Sequence, residues 1–222
     1  MSLESTPGAA QGLLLDFGSV ISFSVFEIIH EVEAALGLPV GGLAWRGPLQ
    51  PDADPLWQMM QRDEITEREY WELRSEECGR KIGRKMSVLD FMIAAYNLPQ
   101  EQIIRPGLVN AIEAVRRAGK RVGVLTNELE LFHGKPWMDG LQVLRQMDFI
   151  VDATHTHILK PAPGAYQLAV EAMGQPAQRI VFLDDQKRNV EGACRAGLIG
   201  LHFDVSRPEL CIRQAMQCLG LE

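Results

Sequence analysis

Positive charge is scarce in this chain: 22 Lys and Arg stand against 29 Asp and Glu in 222 residues, a formal charge of -7. Polyanions are held largely by summed basic charge, so neither a nucleic-acid partner nor an anionic membrane surface is expected. Cysteine is equally sparse. Cys78, Cys194, Cys211 and Cys218 form no C-x-x-C pair and show no disulfide or zinc spacing, which points to reduced thiols in the cytoplasm. Apolar runs of membrane-spanning length are missing, and Met1 to Gly12 has neither the basic nor the apolar region of a signal peptide, so a cytoplasmic location is expected. Internal repeats and low-complexity tracts are missing too.

What is present is an ordinary globular composition, 46% hydrophobic and 23% charged, at a length that suits one domain or a core carrying a smaller insert. A small anionic metabolite fits such a chain only where a metal or one or two basic side chains offset the global field. Several short apolar runs end in a small or acidic residue and lead into a helix-like stretch, the pattern of buried parallel strands with crossover helices. Leu13-Leu14-Leu15 ends at Asp16, Val122-Gly123-Val124-Leu125 at Thr126, and Ile180-Val181-Phe182-Leu183 at Asp184 and Asp185. Weaker runs are Phe149-Ile150-Val151 and Ile199-Gly200-Leu201-His202. Amphipathic helices are expected at about Leu108 to Ala118, closed by Gly119, and at about Arg188 to Ala196, closed by Gly197. The alternation predicts an α/β fold with a doubly wound parallel sheet.

Between Phe23 and about Arg105 the pattern is helical, with segments Val25 to Leu36, Asp54 to Arg62 and Thr66 to Gly79 and no strand signal. The expected organisation is a core of residues 1–22 and 106–222 with a helical cap of residues 23–105 inserted after the first strand.

Ligands of open parallel sheets bind outside the carboxyl ends of the strands, where Asp16, Thr126, Asp184 and Asp185 fall. A carboxylate from one strand end and a pair from another make a hard oxygen site suited to magnesium, and without a counter-charge three such groups would repel. Lys160, in Leu159-Lys160-Pro161, is a second source of positive charge. His155 and His157 lack a nearby third ligand and read as surface residues.

In order along the chain, Leu14-Leu15-Asp16-Phe17-Gly18-Ser19-Val20, Val124-Leu125-Thr126-Asn127, Lys160-Pro161-Ala162-Pro163 and Phe182-Leu183-Asp184-Asp185 resemble the four motifs of the haloacid dehalogenase superfamily. The helical insert falls where that family places its type-one cap. The resemblance implies that Asp16 is the nucleophile of a phosphatase acting on a small phosphorylated metabolite through an aspartyl-phosphate. It implies that Thr126 and Asn127 donate to the phosphoryl oxygens and that Lys160 neutralises charge. Magnesium would be held by Asp16, Asp185, the Gly18 carbonyl and, directly or through water, Asp184. Asn189 would hold a metal-bound water or, equally, lie on a helix surface.

Most phosphatases of this family carry a general acid two residues after the nucleophile, and here that residue is Gly18. The position and the stretch Arg62-Asp63-Glu64-Ile65-Thr66 are similar to a subset resembling α-D-glucose-1-phosphate phosphatase, which implies a substrate with a good leaving group, such as a sugar phosphate. Asp63 and Glu64 are the first candidates for a replacement acid. Two other readings stand beside the phosphatase: a low-turnover binding or regulatory protein, and a metal-free 2-haloacid dehalogenase, which the Asp184-Asp185 pair opposes. Substrate identity and oligomeric state stay open.

Overall fold

Strands made of Leu, Val, Ile and Phe have no polar face and must be covered on both sides. All five apolar runs become such strands: β1 (Gly12–Leu15), β2 (Arg121–Thr126), β3 (Phe149–Asp152), β4 (Ile180–Asp184) and β5 (Ile199–His202). They form one parallel sheet in the order β3-β2-β1-β4-β5 in a computed structural model that describes residues 10–221. In register, Leu15 lies between Val124 and Leu183, so the carboxyl ends of β1, β2 and β4 are level.

The helices are α1 (Ile29–Ala35), α2 (Pro55–Gln61), α3 (Glu67–Lys81), α4 (Val88–Ala95) and α5 (Gln100–Ile103). Then come α6 (Pro106–Arg117), α7 (Leu129–His133), α8 (Lys135–Gly140), α9 (Ala153–Thr156), α10 (Pro163–Met173), α11 (Lys187–Arg195) and α12 (Pro208–Cys218). Alternate side chains of β1 divide the core. Leu14 packs with Tyr166 and Met173 of α10 and Ala193 of α11, whereas Leu13 and Leu15 share a cluster with Ile112 of α6 and Ile212 of α12. Helices therefore cover both faces, as a doubly wound sheet requires. Gly119 and Gly197, at φ 71° and 91°, end α6 and α11 in a conformation that costs glycine little.

The chain leaves and re-enters the sheet region through adjacent backbones: Phe23 N–H donates to Ile103 O at 2.8 Å and Arg105 N–H to Ile21 O at 2.9 Å. Between these points lie α1 to α5 and, among the described residues, no strand. The helix expected from Val25 starts at Ile29. Glu27 accepts from both Ser24 N–H (2.9 Å) and Ser24 Oγ (2.8 Å), and this separate turn delays the helix. α3 starts where the sequence suggests, on a capping box between Thr66 and Glu69. Trp45, Phe26, Trp57, Tyr70, Trp71 and Phe91 join the helices of this segment into an aromatic core continuous with one face of the sheet.

Candidate active site

Asp16 is the first residue beyond β1, fixed there because its N–H donates to Leu183 O of the neighbouring strand at 2.9 Å. Its Oδ1 accepts from Phe17 N–H (2.8 Å) and from Lys160 Nζ (2.9 Å). Both donors fall on one oxygen, which leaves Oδ2 uncommitted among the described residues. The same ammonium donates to Asp184 Oδ2 at 2.7 Å. Lys160 is thus no surface lysine: it is 4% exposed and bridges two carboxylates from different strand ends. Asn127 holds its backbone, accepting from Lys160 N–H at 2.7 Å.

Asp184 has little capacity left. Gln186 N–H donates to Oδ1 at 2.8 Å, and Asn189 Nδ2 lies 3.1 Å from both carboxylate oxygens. Asn189, the third residue of α11, is buried, its own carbonyl oxygen accepts from Tyr166 Oη, and its side-chain Oδ1 has no partner. Asp185 differs from it: among the described residues its carboxylate makes no hydrogen bond. One oxygen each of Asp16, Asp184 and Asp185 lie within 4.8 Å of one another.

Burial pushes Asp16 up to about 7; Asp184 and Glu67 add to the rise and Lys160 opposes it. Burial, then Asp184, Asp16 and Glu67, raise Asp185 well above the usual carboxylate range. Burial alone would lower Lys160, but Asp16 and Asp184 outweigh it and hold the ammonium protonated. The cluster is short of positive charge, and a divalent cation is the ligand that would relieve it. The three carboxylates and the orphaned Asn189 oxygen, an acceptor suited to a metal-bound water, fit magnesium.

Thr126, the last residue of β2, and Asn127 line the same cavity as Asp16, Gly18, Lys160, Asp185 and Asn189. The residues of the four motifs, with Asp184 held to Lys160 and Asn189, therefore lie in or beside one site. The candidate replacement acids do not. Asp63 is exposed and pairs with Arg188 at 2.6 Å, and exposed Glu64 pairs with Arg62 at 2.6 Å. Glu67, one helical turn on and the first residue of α3, enters the cavity instead, where Gln186 Nε2 donates to it at 3.2 Å. Burial, with Asp184 adding, raises its carboxyl above the ordinary glutamate value despite Lys160 and Arg188. In sequence Glu67 looks like an ordinary acidic residue in a first helical turn. His133 was also missed: it ends a five-residue helix in a stretch with no periodic signal, yet it lines the cavity and is 9% exposed. His155 and His157 are exposed; His155 meets Glu130 at 3.0 Å, and neither joins the acidic cluster.

Residues 11–197 match a family model described as haloacid dehalogenase-like hydrolase. The chain is 24% identical over 212 residues to acyl-CoA dehydrogenase family member 10 of Mus musculus, which covers 95% of this chain and 19% of that protein. It is 34% identical over 125 residues to Phosphatase MT3486 of Mycobacterium tuberculosis, covering 56% of this chain and 54% of the relative. The chain thus spans no more than about half the length of these relatives. Among solved structures, L-2-haloacid dehalogenase from Xanthobacter autotrophicus has a TM-score of 0.55 at 16% identity, over 85% of this chain and 75% of that one, and so shares the fold.

Proposed function

The chain belongs to the haloacid dehalogenase-like hydrolases, and on that premise we propose that it is a magnesium-dependent phosphatase that passes the phosphoryl group of a small metabolite to Asp16 and then to water. The observation that carries this reading is the position of Lys160 Nζ, 2.9 Å from Asp16 and 2.7 Å from Asp184, in a carboxylate cluster too negative to stand without a cation. A relative named as a phosphatase, 34% identical over 56% of the chain, supports it.

Asp16, Asp185 and the Gly18 carbonyl would hold magnesium, with Asp184 directly or through water and Asn189 on a bound water. The ion would supply positive charge against the phosphoryl oxygens. The uncommitted Oδ2 of Asp16 and its partner oxygen divide the roles of nucleophile and ligand. Attack in line forms an Asp16 O–P bond and breaks the ester P–O bond; the leaving oxygen takes a proton unless it is already stable. Water then attacks phosphorus, loses a proton, and releases phosphate and the Asp16 carboxylate. Thr126 and Asn127 donate to the phosphoryl oxygens, and Lys160 holds Asp16 oriented while offsetting its charge. The helical segment 23–105 acts as a cap that keeps bulk water from this chemistry. Gly18 supplies no acid, which favours substrates with good leaving groups; a hexose 1-phosphate is the member of that class suggested by the Asp-x-Gly pattern.

The test is phosphate release from acetyl phosphate and a panel of metabolite monoesters, with magnesium and with excess chelator. Turnover that needs magnesium and vanishes in Asp16→Asn is expected. Halide release from 2-haloacids in chelator would assign the chain to the dehalogenases instead, and magnesium binding without turnover on any phosphate would make it a binding protein.

A further inference from the structure

The Gly18 carbonyl assigned to magnesium belongs to a loop that needs outside support. Residues Phe17–Ile21 form a turn closed by Ser22 N–H, which donates to Phe17 O at 3.0 Å. Inside it Ser19 sits at φ 62° and ψ -15°, in the left-handed region. There its Cβ crowds a carbonyl oxygen, and other backbone conformations are favoured by about tenfold. The Gly18 carbonyl is part of the peptide that enters Ser19, so a turn about the Ser19 N–Cα bond swings that oxygen against the rest of the loop.

What opposes that turn comes from the far end of the helical segment. Arg105 Nη2 donates to Ser19 O at 2.9 Å, with Nε of the same guanidinium 3.3 Å from that oxygen. The guanidinium has little freedom to leave. Arg105 is 3% exposed, pairs with Glu27 at 2.5 Å, and lies over the rings of Phe23 at 4.6 Å and Phe203 at 5.2 Å. Glu27 is fixed in turn by Ser24 N–H and Oγ. Both passages between the sheet and the helical segment therefore converge on one backbone oxygen, three residues after Asp16. The passages themselves need no such side chain, because Phe23 N–H to Ile103 O and Arg105 N–H to Ile21 O join them through backbone atoms. A charge taken out of water at this place is costly unless each of its contacts is made, and two of the donor contacts go to Ser19.

We propose that Arg105 is a positioning residue of the metal centre: it holds Ser19 left-handed and so keeps the Gly18 carbonyl available to magnesium. Because the same guanidinium grips Glu27, that ligand is tied to the entrance and exit of the helical segment. The inference rests on the magnesium reading and adds to it a residue that touches neither ion nor substrate.

The experiment is calorimetric titration of the full chain with magnesium, in the wild type and in variants that leave every carboxylate in place. Arg105→Met keeps an apolar stem and both backbone crossings but loses the donors, and should weaken magnesium binding by about tenfold. Ser19→Gly makes the left-handed conformation easy; alone it should shift magnesium affinity by less than about threefold, and in the Arg105→Met background it should recover at least about threefold of the loss. Thermal melts of the double variant should stay close to those of Arg105→Met, since glycine at position 19 restores nothing to the helical segment. Ser19→Val leaves Arg105 and Glu27 paired but resists a positive φ, and should by itself weaken magnesium by about tenfold. Affinity equal to wild type in a folded Arg105→Met or in Ser19→Val overturns the inference and leaves the phosphatase reading standing. A double variant that binds no better than Arg105→Met also overturns it, and makes Arg105 a strut between the helical segment and the sheet. If Arg105→Met does not fold, Ser19→Val decides. Absence of magnesium binding by the wild type, with acetyl phosphate hydrolysis indifferent to chelator, defeats the magnesium reading and the inference together.

Discussion

Gly18 and Glu67 share a single question, where the leaving group gets its proton. Gly18 has φ -64° and ψ 134°, and a Cβ built there meets nothing within 4 Å. The left-handed conformation that this loop needs falls on Ser19, at φ 62°. Glycine is therefore not required here by the backbone, and Gly18→Asp should fold normally. The variant should raise kcat/KM for poor leaving groups, such as alkyl monoesters, by about tenfold or more, while acetyl phosphate changes little. No gain on alkyl esters from a folded variant would mean that another acid already acts. Glu67 is the structure's candidate for that acid. Its raised pKa keeps it protonated to higher pH than an exposed glutamate, so the alkyl-ester rate should fall as pH rises through that pKa, with no such limb for acetyl phosphate. Glu67→Gln keeps an acceptor for Gln186 Nε2 but loses the acid, and should cost ~10²-fold on alkyl esters and only a few-fold on acetyl phosphate. An equal loss on both would reduce Glu67 to a strut between α3 and the sheet.

Among the elements, the helical segment depends on one buried pair. Asp54 caps α2 by accepting from Trp57 N–H at 3.0 Å, also accepts from Gly47 and Arg46 N–H, and pairs with Arg74 of α3 at 2.5 Å. Its side chain is 1% exposed and that of Arg74 10%. Burial opposes ionisation of Asp54, but the three backbone N–H groups and Arg74 outweigh it and hold its carboxyl below the usual range. Asp54→Ala removes a helix cap and leaves Arg74 with Glu77 (2.9 Å) and Tyr70 as its remaining partners, so a stability loss of about 2 kcal/mol is expected in urea unfolding. A loss under about 1 kcal/mol would class the pair with surface ion pairs. This pairing also marks the limit of what was legible in the sequence. Five strands and the helical segment beginning at Thr66 could be read because apolar runs and helix-period patterns are local signals. The strand-end residues of the site could be read for the same reason: a buried parallel strand delivers its last side chain to the carboxyl edge. Asp54 and Arg74 lie 20 residues apart on different helices, and Glu67 reaches the site only through the tertiary placement of α3. His133 is of the same kind, since chain-local patterns do not say whether a lone histidine is buried, whereas Lys160 was legible through the motif Lys160-Pro161-Ala162-Pro163.

For the whole molecule the governing fact is a charge of -7, and the phosphorylated metabolite proposed as substrate is itself an anion. The long-range field would oppose its binding, so Lys160 and the proposed magnesium would have to overcome it at short range. That centre is coupled to pH through Asp16. Its folded-state pKa, about 7, lies above the ordinary 3.8, so the folded protein binds this proton more tightly than the unfolded chain. Its contribution to stability is full below the ordinary value and is lost as pH rises through about 7; Asp185, raised in the same direction, adds to the loss. The metal-free protein should therefore lose stability from these groups as pH climbs toward and past neutrality. Magnesium needs the carboxylates deprotonated, so its binding releases protons and strengthens over the same range. The magnesium-induced rise in Tm should be larger near about pH 8 than near about pH 5.5, and calorimetry near about pH 7 in buffers of different ionisation enthalpy should detect protons leaving as the ion binds. Asp16→Asn removes the titrating group and should flatten that dependence. A magnesium shift that is the same at both pH values in the wild type would show that the ion does not engage Asp16, and the covalent mechanism built on that carboxylate would lose its counter-charge.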